Sequence, residues 1–136
     1  NFGYTIYDPS FLPFLNTMPY IEAGYAYWIK VNAPQAITIP GTPLVDNFSI
    51  NLNSGWNLIS YWGDEGVSPS EAFADLVNDI DSNGEMNLQV VTTFTYGYLI
   101  YDPDFMPFLN TLQTMQRGLG YWVKVRHAVE NFTFPE

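Results

Sequence analysis

Apolar and polar residues alternate along Phe48-Ser49-Ile50-Asn51-Leu52, the two-residue period of a strand with one inward face. An Asn53-Ser54-Gly55 turn follows, then the apolar run Trp56–Trp62, so the two segments are predicted to form a hairpin. Residues 88–96 are rich in β-branched and aromatic types and read as another strand. Shorter strands are expected at 98–101, 121–125 and 131–134, with echoes at 4–7, 27–31 and 36–39. Within 121–125, Tyr121, Val123 and Val125 point one way, and Trp122 and Lys124 the other. One stretch changes period. Ser68-Pro69-Ser70-Glu71 supplies an N-cap, a proline at the first helical position and a capping-box glutamate. Phe73, Leu76, Val77 and Ile80 then follow at i, i+3, i+4 and i+7. The spacing predicts a helix over 68–81, with Asn83-Gly84 as the turn out. The expected fold is mainly β with one amphipathic helix, a small β-barrel or sandwich in which the helix covers one opening or face.

The chain also repeats itself. Displaced by 94 positions, residues 2–31 lie over 96–125 without a gap, and seventeen of the 30 pairs are identical. One inserted residue later, Ile37-Thr38-Ile39-Pro40 matches Phe132-Thr133-Phe134-Pro135. Self-similarity of this kind marks a recurring structural element. The expected division is a partial repeat at 1–40 (the second half of a unit), a Gly/Pro-punctuated linker at 41–46 and a complete unit at 47–136, all in one assembly. Residues 1–40 carry apolar strands with nothing of their own to complete them. They are expected to displace 95–136 from 46–94 or to pair with a neighbouring chain, giving an interlocked pseudo-symmetric monomer or a homodimer.

Composition narrows the function classes. Hydrophobic residues make up 47% and charged residues 13%, enough core material to offset the entropy of ordering. The net charge is −10, and −8 of it lies in 46–94, which contains no Lys or Arg. That segment repels polyanions, so nucleic acid and anionic membrane surfaces are poor partners, while cations and neutral glycans remain open. There is no cysteine, which removes disulfides, thiol chemistry and Cys-zinc sites. No run reaches the ~18 apolar residues of a membrane span. The chain begins at Asn1 in mid-pattern, and the expectation is a processed or excised piece of something longer.

Gly55-Trp56-Asn57-Leu58-Ile59-Ser60, together with Gly120-Tyr121-Trp122-Val123-Lys124-Val125, resembles the "GWNLIS…GYWVKV" repeat domain of large bacterial secreted and surface proteins. The resemblance covers nearly all of 46–136. It implies an accessory module of no settled activity, secreted or on the bacterial cell surface.

Candidate chemistry is sparse. Tyr7-Asp8-Pro9 and Tyr101-Asp102-Pro103 read as Asp-Pro turns, and the following Phe11-Leu12-Pro13-Phe14 and Phe105-Met106-Pro107-Phe108 are expected to fold back on the core. Trp122 beside Lys124 suits sugar stacking, or fills the gap between helix and sheet. The aromatics Trp56, Tyr61, Trp62 and Trp122 are the candidate glycan contacts, a reading that needs them exposed and coplanar. Asp79, Asp81 and Asn83 stand at positions 1, 3 and 5 of a calcium-type loop, with Gly84 at 6 and Glu85 at 7. Val90 occupies position 12, where a bidentate Glu belongs. His127 is the only histidine and has no nucleophile motif beside it. The expected function is therefore non-catalytic: an extracellular module for adhesion, assembly or surface attachment. Carbohydrate binding through exposed aromatics is the alternative within binding. The rival from another class is a glycan hydrolase, which needs paired carboxylates about 5–9.5 Å apart.

Overall fold

A computed structural model describes residues 5–45 and 47–135. Tyr4 of the expected strand 4–7, Asp46 of the expected linker and the extreme ends of the two repeat segments lie outside the described residues. The fold is mainly β, with two antiparallel sheets forming a small sandwich. The strands are β1 (Ile50–Leu52), β2 (Gly55–Ser60), β3 (Leu88–Phe94), β4 (Tyr98–Tyr101), β5 (Gly120–Val125) and β6 (Val129–Phe132). The larger sheet has the order β2-β5-β3-β4, and β1 pairs with β6 in the smaller one. β5 therefore runs between β2 and β3, bonded on both edges, with Leu58 opposite Trp122 on one side and Thr92 on the other.

The expected hairpin of 48–52 with 56–62 does not form. The Asn57 side chain accepts from Asn53 N at 2.9 Å and donates to Asn53 O at 2.8 Å, and Gly55 turns at φ 92°. Those bonds close the corner locally and send β1 to the second sheet, where Ile50 lies opposite Phe132.

The helix is shorter than its apolar stripe predicts. It comes as α1 (Pro69–Ala72) and α2 (Ala74–Asn78), broken at Phe73 (φ −110°, ψ 29°). The capping box is present: the Ser68 side chain accepts from Glu71 N, and the Glu71 carboxylate accepts from Ser68 N at 3.0 Å. The break lets the fully buried Phe73 ring stack on Phe132, with centroids 5.8 Å apart. Leu76 is buried, but Ile80 is exposed. The chain leaves the helix at Asp79, and Ile80 bridges to Met86 instead.

The core is one cluster. Ile59, Val91, Tyr121, Val123 and Val125 of the large sheet meet Ile50, Leu52 and Phe132 of the small one, with Phe73, Leu76, Leu112 and Met115 between. Phe134 is the aromatic hub, edge-on to Tyr61, Trp62, Phe73 and Phe132 at 4.6–5.2 Å. Such edge contacts match ring quadrupoles and add to simple burial.

Residues 27–31 and 36–39 form no strand. Both edges of β5 are covered by β2 and β3, and 27–31 have no equivalent neighbours. The place between β2 and β3 stays with 120–125. The N-terminal segment instead runs along the outer edge of β2, through a Tyr25–Ile59 bridge, with Gly24 buried close to Phe48 and Ile50. There Ser60 N donates to Gly24 O at 3.0 Å and Ala26 N to Leu58 O at 3.3 Å.

Candidate functional site

Two loops share three equivalent side-chain hydrogen bonds. In the first, Asp8 N donates to Asn16 Oδ1 (2.8 Å), Ser10 N to Asp8 Oδ1 (2.8 Å), and Ile6 N to Thr17 Oγ1 (3.0 Å). In the second, Asp102 N donates to Asn110 Oδ1 (2.8 Å), Asp104 N to Asp102 Oδ1 (2.8 Å), and Ile100 N to Thr111 Oγ1 (3.0 Å). Each then makes a 3-10 turn, at Pro13–Leu15 and Pro107–Leu109. The Asp-Pro turns are thus built as Asx turns, the aspartate satisfying its own loop's amides. The Ser10 hydroxyl and amide hold the Asp8 carboxyl below the usual carboxylate range.

The loops do not fold back on the core. Phe14 and Phe108 are 77% and 78% exposed, and Phe11, Leu12, Leu15 and their partners Phe105, Met106 and Leu109 are also exposed. Side-chain caps and the prolines satisfy the loop backbone internally, so no core contact is needed to shape it. Apolar tips left outside in this way are the kind of surface that marks interaction sites.

The four candidate aromatics separate into two pairs. Trp56 and Trp122 lie on the outer face of the large sheet, edge-on at 6.4 Å and 89°, with Lys124 Nζ 5.8 Å from the Trp56 ring. Tyr61 is buried, its hydroxyl donating to Asp64 O at 2.6 Å. Trp62 is half-buried against Phe48 and Phe134. Burial, with the Asp64 carboxylate next in effect, pushes the Tyr61 phenol up to about 12. The outer face gains residues outside that set of four: Trp28, Phe94 and Tyr98 join Trp122 around a groove of about 270 Å³ floored by Leu58 and Gly120. Trp28 is the repeat partner of Trp122, and that pairing is its signal in the sequence.

The acidic loop is held by its neighbours. Asp79 Oδ2 accepts from Asn87 Nδ2 at 2.9 Å and lies 2.7 Å from His127 Nε2. Asp81 Oδ1 accepts from Glu85 N and Asn83 N, and these amides hold its carboxyl below the usual range. Glu85 pairs with Arg126 at 3.1 Å. Asn83 contributes its backbone N–H to the Asp81 turn. Asp79, Asp81, Asn83 and Glu85 thus share one turn but face different partners. Among the described residues, no group of three or more His, Cys, Asp or Glu is placed to hold a metal ion. No helix among them is long and apolar enough to cross a membrane.

Comparison of the chain with protein-family models, with curated proteins and with solved structures finds no match in any of the three.

Proposed function

We propose that this chain is a non-catalytic adhesion or assembly module of the bacterial exterior, with the two apolar loops at 11–15 and 105–109 as its contact tips. One observation carries the reading: the two loops have the same exposure although one belongs to a complete packing unit and the other does not. Their exposure is therefore a property of the loop and not of missing core. Two tips of one composition on a single chain also favour avidity, since a second contact becomes intramolecular once the first is made. The resemblance to bacterial surface repeat domains supports the location.

The test is a chain carrying Phe11→Ser, Phe14→Ser, Phe105→Ser and Phe108→Ser. It should lose a measurable share of its apolar-dye fluorescence and any self-association seen by sedimentation, while its melting temperature stays near that of the parent, because the four rings contribute little to the core. Unchanged dye binding would sink the reading.

The groove lined by Trp28, Phe94, Tyr98 and Trp122 favours glycan contact as a second reading. Exposed aromatic faces suit the apolar face of a sugar ring. Trp122→Ala should abolish any binding detected on a glycan array; retained binding would exclude the groove as its seat.

A further inference from the structure

Five pairs of equivalent positions differ in one respect. Tyr121, Val123, Val125, Phe132 and Phe134 are all buried, whereas Tyr27, Ile29, Val31, Ile37 and Ile39 are all exposed. At the extreme, Val123 is 0% exposed and Ile29 61%. Two of the five pairs are identical and the other three exchange one apolar residue for another, and the local bonds agree as well. Glu22 N donates to the Tyr27 hydroxyl at 2.8 Å, as Gln116 N does to the Tyr121 hydroxyl at 2.9 Å. Gly24 and Gly118 turn alike, at φ 84° and 81°. The copies are alike in themselves and unlike in what covers them. Residues 120–134 are covered by β2, β3 and α1–α2, all from 47–94.

We infer that residues 27–39 are a docking surface for a polypeptide of the same kind as 47–94: a Gly-Trp-Asn-Leu-type strand, a short capped helix and a β-branched strand. This occupant rests on the assembly reading above and names its partner. A second copy of the chain does not meet the need. Each copy of these 136 residues holds one such first half and two second halves, so any exchange leaves one second half per chain uncovered. The covering first half is therefore one that lies outside these 136 residues.

Charge sharpens the recognition. In the complete unit Arg117 Nε donates to Gly63 O at 2.7 Å, and its guanidinium lies 3.8 Å from Asp64. Arg126 pairs with Glu85 and also donates to Met86 O, and His127 meets Asp79. At the equivalent positions the N-terminal copy has Ala23, Asn32 and Ala33. The acidic half 47–94 would lose every one of these contacts on moving to 27–39, which favours its pairing with 95–135. The matching partner half should lack the acids at the positions of Asp79 and Glu85.

The test appends a second copy of 47–94 directly ahead of Asn1 of the full chain. That junction reproduces the natural spacing, because residue 95 aligns with residue 1. A sister version carries Asp79→Asn and Glu85→Gln in the appended half only. The amides of Tyr27, Ile29 and Val31 should exchange about 100-fold more slowly than in the parent, most strongly in the sister version. Those of Tyr121, Val123 and Val125 report whether the native unit stays intact. If neither version protects 27–31, the inference is overturned; loss of protection at 121–125 counts against it equally, since a matched half has its own place to go. If the parent alone gains protection at 27–31 as its concentration rises and it dimerises, the partner is a second copy. That outcome overturns the inference and leaves the assembly reading standing. Failure of the assembly reading itself is read from the loop variants, independently of these amides.

Discussion

Burial and the Asp64 carboxylate make ionisation of Tyr61 costly, and its hydroxyl is committed to Asp64 O. Because the folded phenol titrates above its unfolded value, the stability it adds is complete below about pH 10 and is lost as pH rises through the folded value of about 12. Tyr61→Phe should cost about 1 kcal/mol at neutral pH, the net worth of one hydrogen bond. It should also flatten the alkaline loss of stability. Urea melts at neutral and alkaline pH, with ring-carbon NMR for the phenol itself, measure both; a Tyr61 signal titrating at the ordinary tyrosine value would refute the account. The position was legible by period and hidden by type. Counting in twos from the buried Ile59 puts Tyr61 inward, whereas reading it as an aromatic beside Trp62 suggested a sugar platform.

β5 and the N-terminal segment show how far an element depends on its neighbours. Strand alternation put Tyr121, Val123 and Val125 on one face and Trp122 and Lys124 on the other; the first set is the buried one, so Trp122 does not fill the gap between helix and sheet. The same alternation at 27–31 yields no strand, because a strand needs ladder partners and these residues have none. Periodicity reports which face would be buried, and only the pairing decides whether it is. The helix met a similar limit. Its capping box was readable from Ser68 and Glu71, but the turn at Phe73 answers to a stack on Phe132, dozens of residues away. A contact of the N-terminal segment with the sheet can be tested at Gly120, where an added Cβ would lie 2.7 Å from Ala26 Cβ and an ordinary 3.8 Å from Leu58 Cδ1. Gly120→Ala should therefore push 24–26 off the edge of β2 while leaving β5 in place. Hydrogen exchange should quicken at Ala26 and Ser60, whose amides bond across that edge, and stay slow at Val123. Equal quickening at all three would mean that Gly120 matters to β5 itself.

On the scale of the whole molecule, the repeat, the acidity of the middle segment and the mainly β fold were all visible in the sequence. The loop exposure and the outer groove were not. Phe-Leu-Pro-Phe looks like core material, and nothing in its composition reveals that Asx bonds and prolines shape it without one. The groove joins Trp28 to Trp122 across a contact that only the fold creates. What the repeat offers in return is an internal control, since Val123 and Ile29 hold equivalent positions with opposite burial. Val123→Ala removes packed methyl groups and leaves a cavity, so it should cost about 2 kcal/mol or more. Ile29→Ala deletes more side chain but from an exposed site, and should cost less than about 0.5 kcal/mol. Denaturant melts of the two variants beside the parent separate these outcomes. If Ile29→Ala proves as costly as Val123→Ala, residues 27–39 are already packed in the isolated chain, and their exposure cannot be what a partner recognises. If the two costs differ as expected, the same measurement repeated with 47–94 appended should bring the Ile29→Ala penalty up toward that of Val123→Ala, because burial of the position is what makes its side chain count.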